Sequence, residues 1–271
     1  MAINVNTVYQ TVLSILNKEQ RGYLTPDEFN KTATQVQLEI FEKYFEDLNQ
    51  QIRVPQTDLD YADRFLNLDE KLAIFKTYGE ATYNTTDYPG IKYFKLPTTD
   101  AYNAQADVHT LGTVTYTDSY GNITELQRLS RTDFYNIQKS PLTKANESFP
   151  TYLYESLPNQ NIAGQSLIEN SPRVLYVNPS TITSGINVDY IRKPSDVKWG
   201  FSIAARGNYI FDDNFYNPGS GQGSKNFELH ESEQTNVILR ILAYAGIIIE
   251  DPTIVQIASQ QVSGREANKK S

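Results

Sequence analysis

Glu228-Leu-His-Glu-Ser-Glu-Gln-Thr-Asn-Val-Ile-Leu-Arg-Ile-Leu-Ala-Tyr-Ala-Gly-Ile-Ile-Ile-Glu-Asp-Pro252 decides how the chain is organised. An acidic opening leads into a strongly apolar helix, Gly246 is expected to end it, and Asp251-Pro252 to open a second short helix. Arg240 interrupts the apolar run from Val237 to Ile249, which is too short to span a bilayer. A helix this apolar must be covered, by its own chain or by another copy. Val237, Ile238, Ile241, Leu242, Ile247 and Ile248 are therefore the expected buried face and the candidate assembly interface. The design is that of a docking element and not of a catalytic pocket.

Upstream of it, Asn217-Pro-Gly-Ser-Gly-Gln-Gly-Ser-Lys-Asn226 reads as a flexible surface loop. Before that, residues 81–227 are rich in Pro, Gly, Asn and Thr, with short alternating runs. Val108–Thr117, Asp118-Ser-Tyr-Gly and the run from Asn122 predict a hairpin. Ser130 predicts the cap of a short helix. Runs from Pro150, Arg173 and Ile186 predict strands. Residues 1–80 have helical spacing: Val5, Val8, Val12 and Leu16 mark one helix, and Phe29, Ala33, Val36, Ile40, Phe41 and Tyr44 a longer one. Thr25-Pro26-Asp27-Glu28 is a helix start with a capping box and a proline at the first helical position. Gly22 suits a cap for the preceding turn. Tyr61, Phe65, Leu68, Leu72 and Phe75 predict a third helix ending by Gly79. The expected organisation is a helical segment 1–80, a β-rich domain 81–227, and C-terminal helices 228–271 packing with 1–80. That is an α+β fold whose helical ends pack together around a β-rich insert.

The 271 residues suffice for one large domain or two smaller ones. A net charge of −8, with no Lys/Arg run, argues against tight gripping of a nucleic-acid backbone. Nineteen tyrosines suit strands and equally suit protein contact surfaces. The absence of cysteine excludes disulfides and thiolate chemistry. No basic segment with an apolar stretch opens the chain, so no secretory leader is expected.

Patterns that carry chemistry fail in detail. Asn17–Glu28 has glycine and glutamate at calcium-loop positions, but Arg21 stands where an oxygen ligand belongs. The glycine loop lacks the spacing of a phosphate-binding loop before Lys225. His109 and His230 are isolated. Asp212-Asp213 and the Asp58/Asp60/Asp63 cluster could pair as glycosidase carboxylates, or simply be solvated. No catalytic residue, cofactor or metal ligand is expected.

Residues 5–50, 173–200 and 227–262 carry a resemblance. The strand ending Asp189-Tyr-Ile-Arg-Lys-Pro194 with Trp199, then Phe227-Glu-Leu-His-Glu-Ser-Glu233 leading to Ile241-Leu-Ala-Tyr-Ala-Gly-Ile247, resembles structural proteins of crAss-like and related tailed bacteriophages. The resemblance implies a virion protein at the portal vertex or tail, assembled in the host cytoplasm. It implies a homo-oligomeric ring, twelve-fold, that joins the portal and other tail or ring proteins and leaves a passage for DNA during genome ejection. No membrane partner is implied. An alternative reading is a tail module that binds host-surface glycan, which the aromatic-rich β region and the Asn/Thr loops would suit.

Overall fold

The computed structural model describes residues 2–18, 24–53, 60–85, 91–97, 108–157, 173–217, 219–248 and 256–264. In chain order, β1 (Ala2–Ile3) precedes α1 (Val5–Lys18), α2 (Pro26–Arg53) and α3 (Asp60–Ala73). Then come β2 (Lys76–Glu80), β3 (Thr82–Asn84), β4 (Tyr93–Lys95), β5 (Val108–Thr117), β6 (Ile123–Glu125) and β7 (Gln127–Arg128). A short α4 (Arg131–Ile137) is followed by β8 (Thr151–Ser156), β9 (Arg173–Asn178) and β10 (Ile186–Arg192). The chain closes with β11 (Phe201–Ile203), β12 (Tyr209–Phe211), β13 (Phe227–His230), a 3₁₀ turn (Glu231–Glu233) and α5 (Gln234–Ile248). Residues 256–264 are helical again. The fold is mixed α+β, with the helical chain ends in one unit and a β-rich insert as the other.

The insert is residues 75–193. One sheet runs β2-β10-β5-β6 and the other β3-β4-β9-β8-β7, antiparallel except where β7 meets β8. Phe94, Tyr152 and Leu175 of one sheet share a core with Val114, Val188 and Tyr190 of the other. β10 alternates as a half-buried strand should: Ile186, Val188 and Tyr190 are buried, while Asp189 is exposed. Ala81 is the corner at which the chain leaves one sheet for the other, its N–H bonded to the Ile186 carbonyl at 2.8 Å. The β5–β6 hairpin forms as expected. Its turn is closed by Asp118, whose Oδ1 accepts the N–H groups of Tyr120 and Asn122 at 2.8 and 2.9 Å. Ser130 caps α4, accepting the Asp133 N–H.

The helical unit is residues 1–74 and 194–271. Val8, Val12 and Leu16 of α1 and Phe29, Ala33, Val36 and Ile40 of α2 are buried, as their spacing predicts. The expected capping box forms in both directions. The Glu28 N–H reaches Thr25 Oγ1 at 3.4 Å, and Glu28 Oε2 accepts the Thr25 N–H at 2.9 Å. β1 pairs with β13, placing the start of the chain beside the entrance to α5.

Several sequence expectations change. α3 forms and ends before Gly79 as expected, but it stops at Ala73, which leaves Phe75 outside the helix and Gly79 inside β2. Gly246 is buried inside α5, which runs on to Ile248. The division between units falls at 74/75 and 193/194, so 194–227 belongs with the helices and not with the β insert. The glycine loop is hydrogen-bonded to itself and its neighbours: Tyr216 N–H to Ser224 O at 3.1 Å and Asn217 N–H to Gln222 O at 2.9 Å. A Cβ on Gly200 would lie 2.3 Å from the Gly223 carbonyl oxygen, so these glycines allow close backbone approach. Gly22 and Asp251-Pro252 lie outside the described residues.

Candidate functional site

The apolar face of α5 is spent inside the protomer. Val237 and Ile241 are wholly buried, Leu242 nearly so, and Ile238 half-buried, in the unit that α5 shares with α1 and α2. Ile247 and Ile248 lie on the last turn of α5, and their side chains fall outside the described residues. Val237, Ile241 and Leu242, buried within their own unit, cannot also face a second copy. Arg240, which breaks the apolar run, reaches Glu39 on α2 at 3.2 Å. Tyr244 donates to the other Glu39 oxygen, and that bond holds its phenol above the ordinary value. Lys71 meets the buried Glu233 at 2.6 Å. These polar ties orient α5 against α2 and α3.

A second construction has no local signal. Asn30, Thr34 and Gln37 lie one above another on α2, near the i, i+4, i+7 spacing of a single helix face. Each serves one residue of the extended segment 195–199. Asn30 accepts the Trp199 N–H at 2.7 Å and donates to its carbonyl at 3.2 Å. Thr34 accepts the Val197 N–H at 3.2 Å. Gln37 donates to the Ser195 carbonyl at 2.7 Å and accepts the Glu228 N–H at 2.8 Å. Seven helical residues rise about 10 Å and four extended residues at most about 13 Å, close enough for side chains to span the difference. The helix thus supplies, through side chains, the partners that a neighbouring strand would supply through its backbone.

The ladder positions Trp199. Its indole Nε1 donates to Asn6 Oδ1 at 3.1 Å, and Tyr9 packs on it with ring centroids 4.4 Å apart. Phe211 and Phe201 stack against it at 5.5 and 6.0 Å. In the β11–β12 register, Phe201 faces Phe211 and Ile203 faces Tyr209. One face of the hairpin therefore runs outward from Trp199, from a covered aromatic pair to an exposed Ile203–Tyr209 pair. Between this hairpin and α1 lies an open groove of about 670 Å³. Trp199, Tyr9 and Leu13 line its apolar part, Tyr209 and Phe211 its outer part, and Asn6, Gln10 and Asn208 supply amides. Among the described residues, no charged side chain lines it. The sequence marks Trp199 only as following a strand end and does not disclose the groove. The available signal was Asn6, Tyr9, Gln10 and Leu13 at helical spacing on α1.

Of the remaining suspects, Asp212 and His230 have structural roles. Asp212 Oδ1 accepts the Asn214 N–H at 3.1 Å and is held in a turn. Asp58 lies outside the described residues, as do the side chains of Asp60 and Asp63. His230 Nδ1 accepts the Ser232 N–H at 3.2 Å, capping the 3₁₀ turn before α5. His109 is exposed on β5. Among the described residues, no three His, Cys, Asp or Glu side chains gather closely enough to hold a metal, and no helix is long and apolar enough to cross a membrane. Compared with known proteins, the chain matches no family model and no curated sequence.

Proposed function

We propose that the chain is a virion structural protein that forms a ring at the head–tail joint of a tailed bacteriophage, joining portal to short tail and leaving a passage for DNA. The observation that carries this reading is the set of large apolar side chains left on the surface of each unit. In the insert, Tyr120 and Ile123 stand at the β5–β6 turn, and Leu142 and Phe149 stand beyond α4, all mostly exposed. In the helical unit, Ile203, Ile210 and Phe215 do the same. Head-to-tail contact between identical subunits needs two different complementary faces. Two units, each with its own exposed apolar residues, supply surfaces of that kind. The resemblance of residues 5–50, 173–200 and 227–262 to phage structural proteins points the same way. A negative chain around the passage would repel the duplex backbone and let it slide.

The test is mass spectrometry of purified particles together with electron microscopy of the purified protein, with and without portal. The expected result is the chain in mature virions and a closed, twelve-fold ring. Absence from particles, or a monomer under both conditions, would sink the reading.

A further inference from the structure

We infer that the groove between α1 and the β11–β12 hairpin is a binding site for a neutral saccharide. This inference rests on the groove alone and is independent of whether the chain assembles into a ring.

The chemistry of the lining selects the ligand. In a chain of net charge −8, this groove has no charged side chain on its walls among the described residues. Phosphates, carboxylates and nucleic-acid backbones find no cation there, and a cationic ligand finds no carboxylate. What the groove offers is aromatic surface and side-chain amides. A pyranose ring has the complementary character: C–H groups on its faces and a rim of hydroxyls that both donate and accept. Aromatic faces carry negative charge density and attract the polarised C–H groups, while planar amides read neighbouring hydroxyls.

The parts are held ready. Tyr209 keeps 38% of its surface exposed and is braced by Phe201, ring centroids 5.0 Å apart and nearly perpendicular. Phe211 is stacked on Trp199, which is itself fixed by Asn30 through both backbone groups. The Asn6 carbonyl is engaged by the indole, which leaves its NH₂ as a donor. The Gln10 and Asn208 amides are exposed and make no hydrogen bond among the described residues. Asn208 is positioned by the hairpin turn, where Gly207 takes φ +83° and Ala204 N–H bonds the Asn208 carbonyl at 2.9 Å. The groove's size of about 670 Å³ lies within the roughly 300–1,000 Å³ of small-ligand sites. Rigid aromatics and preplaced amides lower the ordering cost of binding.

Trp199 is the chain's single tryptophan, so its emission reports on the groove. The full chain is titrated with cellotetraose, maltotetraose, chitotetraose and a soluble mannan, each to about 10 mM, well above a millimolar Kd. At least one should give a saturable change in emission. Tyr209→Ala should weaken that binding about tenfold or more, and Gln10→Ala and Asn208→Ala several-fold, with unchanged far-ultraviolet circular dichroism and melting temperature. No saturable change with any of the four would overturn the inference. So would binding indifferent to all three substitutions. An emission change that follows protein concentration with sugar absent would assign the groove to a second copy, and would also overturn it.

Discussion

The two units satisfy the backbone of an extended chain by different means. In the insert, β10 is paired on both sides, with β2 and with β5, so its N–H and C=O groups meet other strands. In the helical unit, residues 195–199 are held by Asn30, Thr34 and Gln37 of α2. The first arrangement is nearly indifferent to side-chain identity wherever a residue faces water. The second depends on three particular side chains. Sequence tolerance should therefore differ sharply between two segments that are both extended.

The largest effects should not distinguish the units at all. Leu242→Asp in α5 and Val188→Asp in β10 each bury a charge where an apolar side chain was, at about 4 kcal/mol or more. Denaturant unfolding of the purified variants measures this. A soluble variant with wild-type stability in either unit would contradict the core assignment. The comparison itself is tested by Gln37→Leu against Asp189→Thr. The first keeps volume but strips partners from the Ser195 carbonyl and the Glu228 N–H, at about 2–4 kcal/mol. The second leaves the strand pairing intact and should stay within about 0.5 kcal/mol. Hydrogen exchange at Val197 and Trp199 should quicken in the first variant only. Equal effects would dissolve the distinction.

Glycines sharpen it further. Gly223→Ala places a Cβ 2.5 Å from the Phe215 carbonyl oxygen at φ +92°, whereas a Cβ on Gly207 at φ +83° meets nothing within 4 Å. Backbone strain alone costs about 1 kcal/mol, and the clash adds about 1–3 more, so Gly223→Ala should lower the melting temperature further than Gly207→Ala. The α2 cap gives small effects too. Thr25→Ala should cost about 1 kcal/mol, and Glu28→Gln only a few tenths, since glutamine can still accept the Thr25 N–H. The Thr25 hydroxyl and N–H hold the Glu28 carboxyl below its ordinary value. Its stabilising contribution is therefore present above the unfolded-state pKa and fades as pH falls through the lowered, folded-state value. Melting temperature against pH should lose a little of its acid-side slope in Glu28→Gln.

The same contrast explains what the sequence disclosed. Periodic apolar residues announce their partners: Val8, Val12 and Leu16 announce a helix face, and Ile186, Val188 and Tyr190 a strand face. Thr25 and Glu28 act within one turn, so their box was legible. By sequence, the region 194–227 goes with the β domain, because Pro, Gly and short strands look alike in either unit. Its partners Asn30 and Gln37 lie well over a hundred residues away and are polar, and polar residues on a helix normally face water. The glycine loop reads as flexible because composition cannot separate glycine used for freedom from glycine used for close approach. Of the six α5 residues, the burial of Val237, Ile241 and Leu242 was legible. That burial is internal, and the aromatic groove needed residues from α1, Trp199 and a hairpin at once.

The contacts that close the helical unit span most of the chain. Val5 N–H bonds Asn226 Oδ1, 221 residues away, and Glu228 N–H bonds Gln37, 191 residues away. During synthesis, α1 and α2 emerge long before the segments that cover them. Within the insert, Lys76 pairs with Ile191, and Arg192 N–H bonds the Phe75 carbonyl at 2.9 Å, so once folded it brings its own two ends together. Folding the insert first replaces a long floppy loop by a short link and removes much of the closure entropy that the helical unit would otherwise face. The folded insert thus acts as an internal clasp across which the helical unit closes.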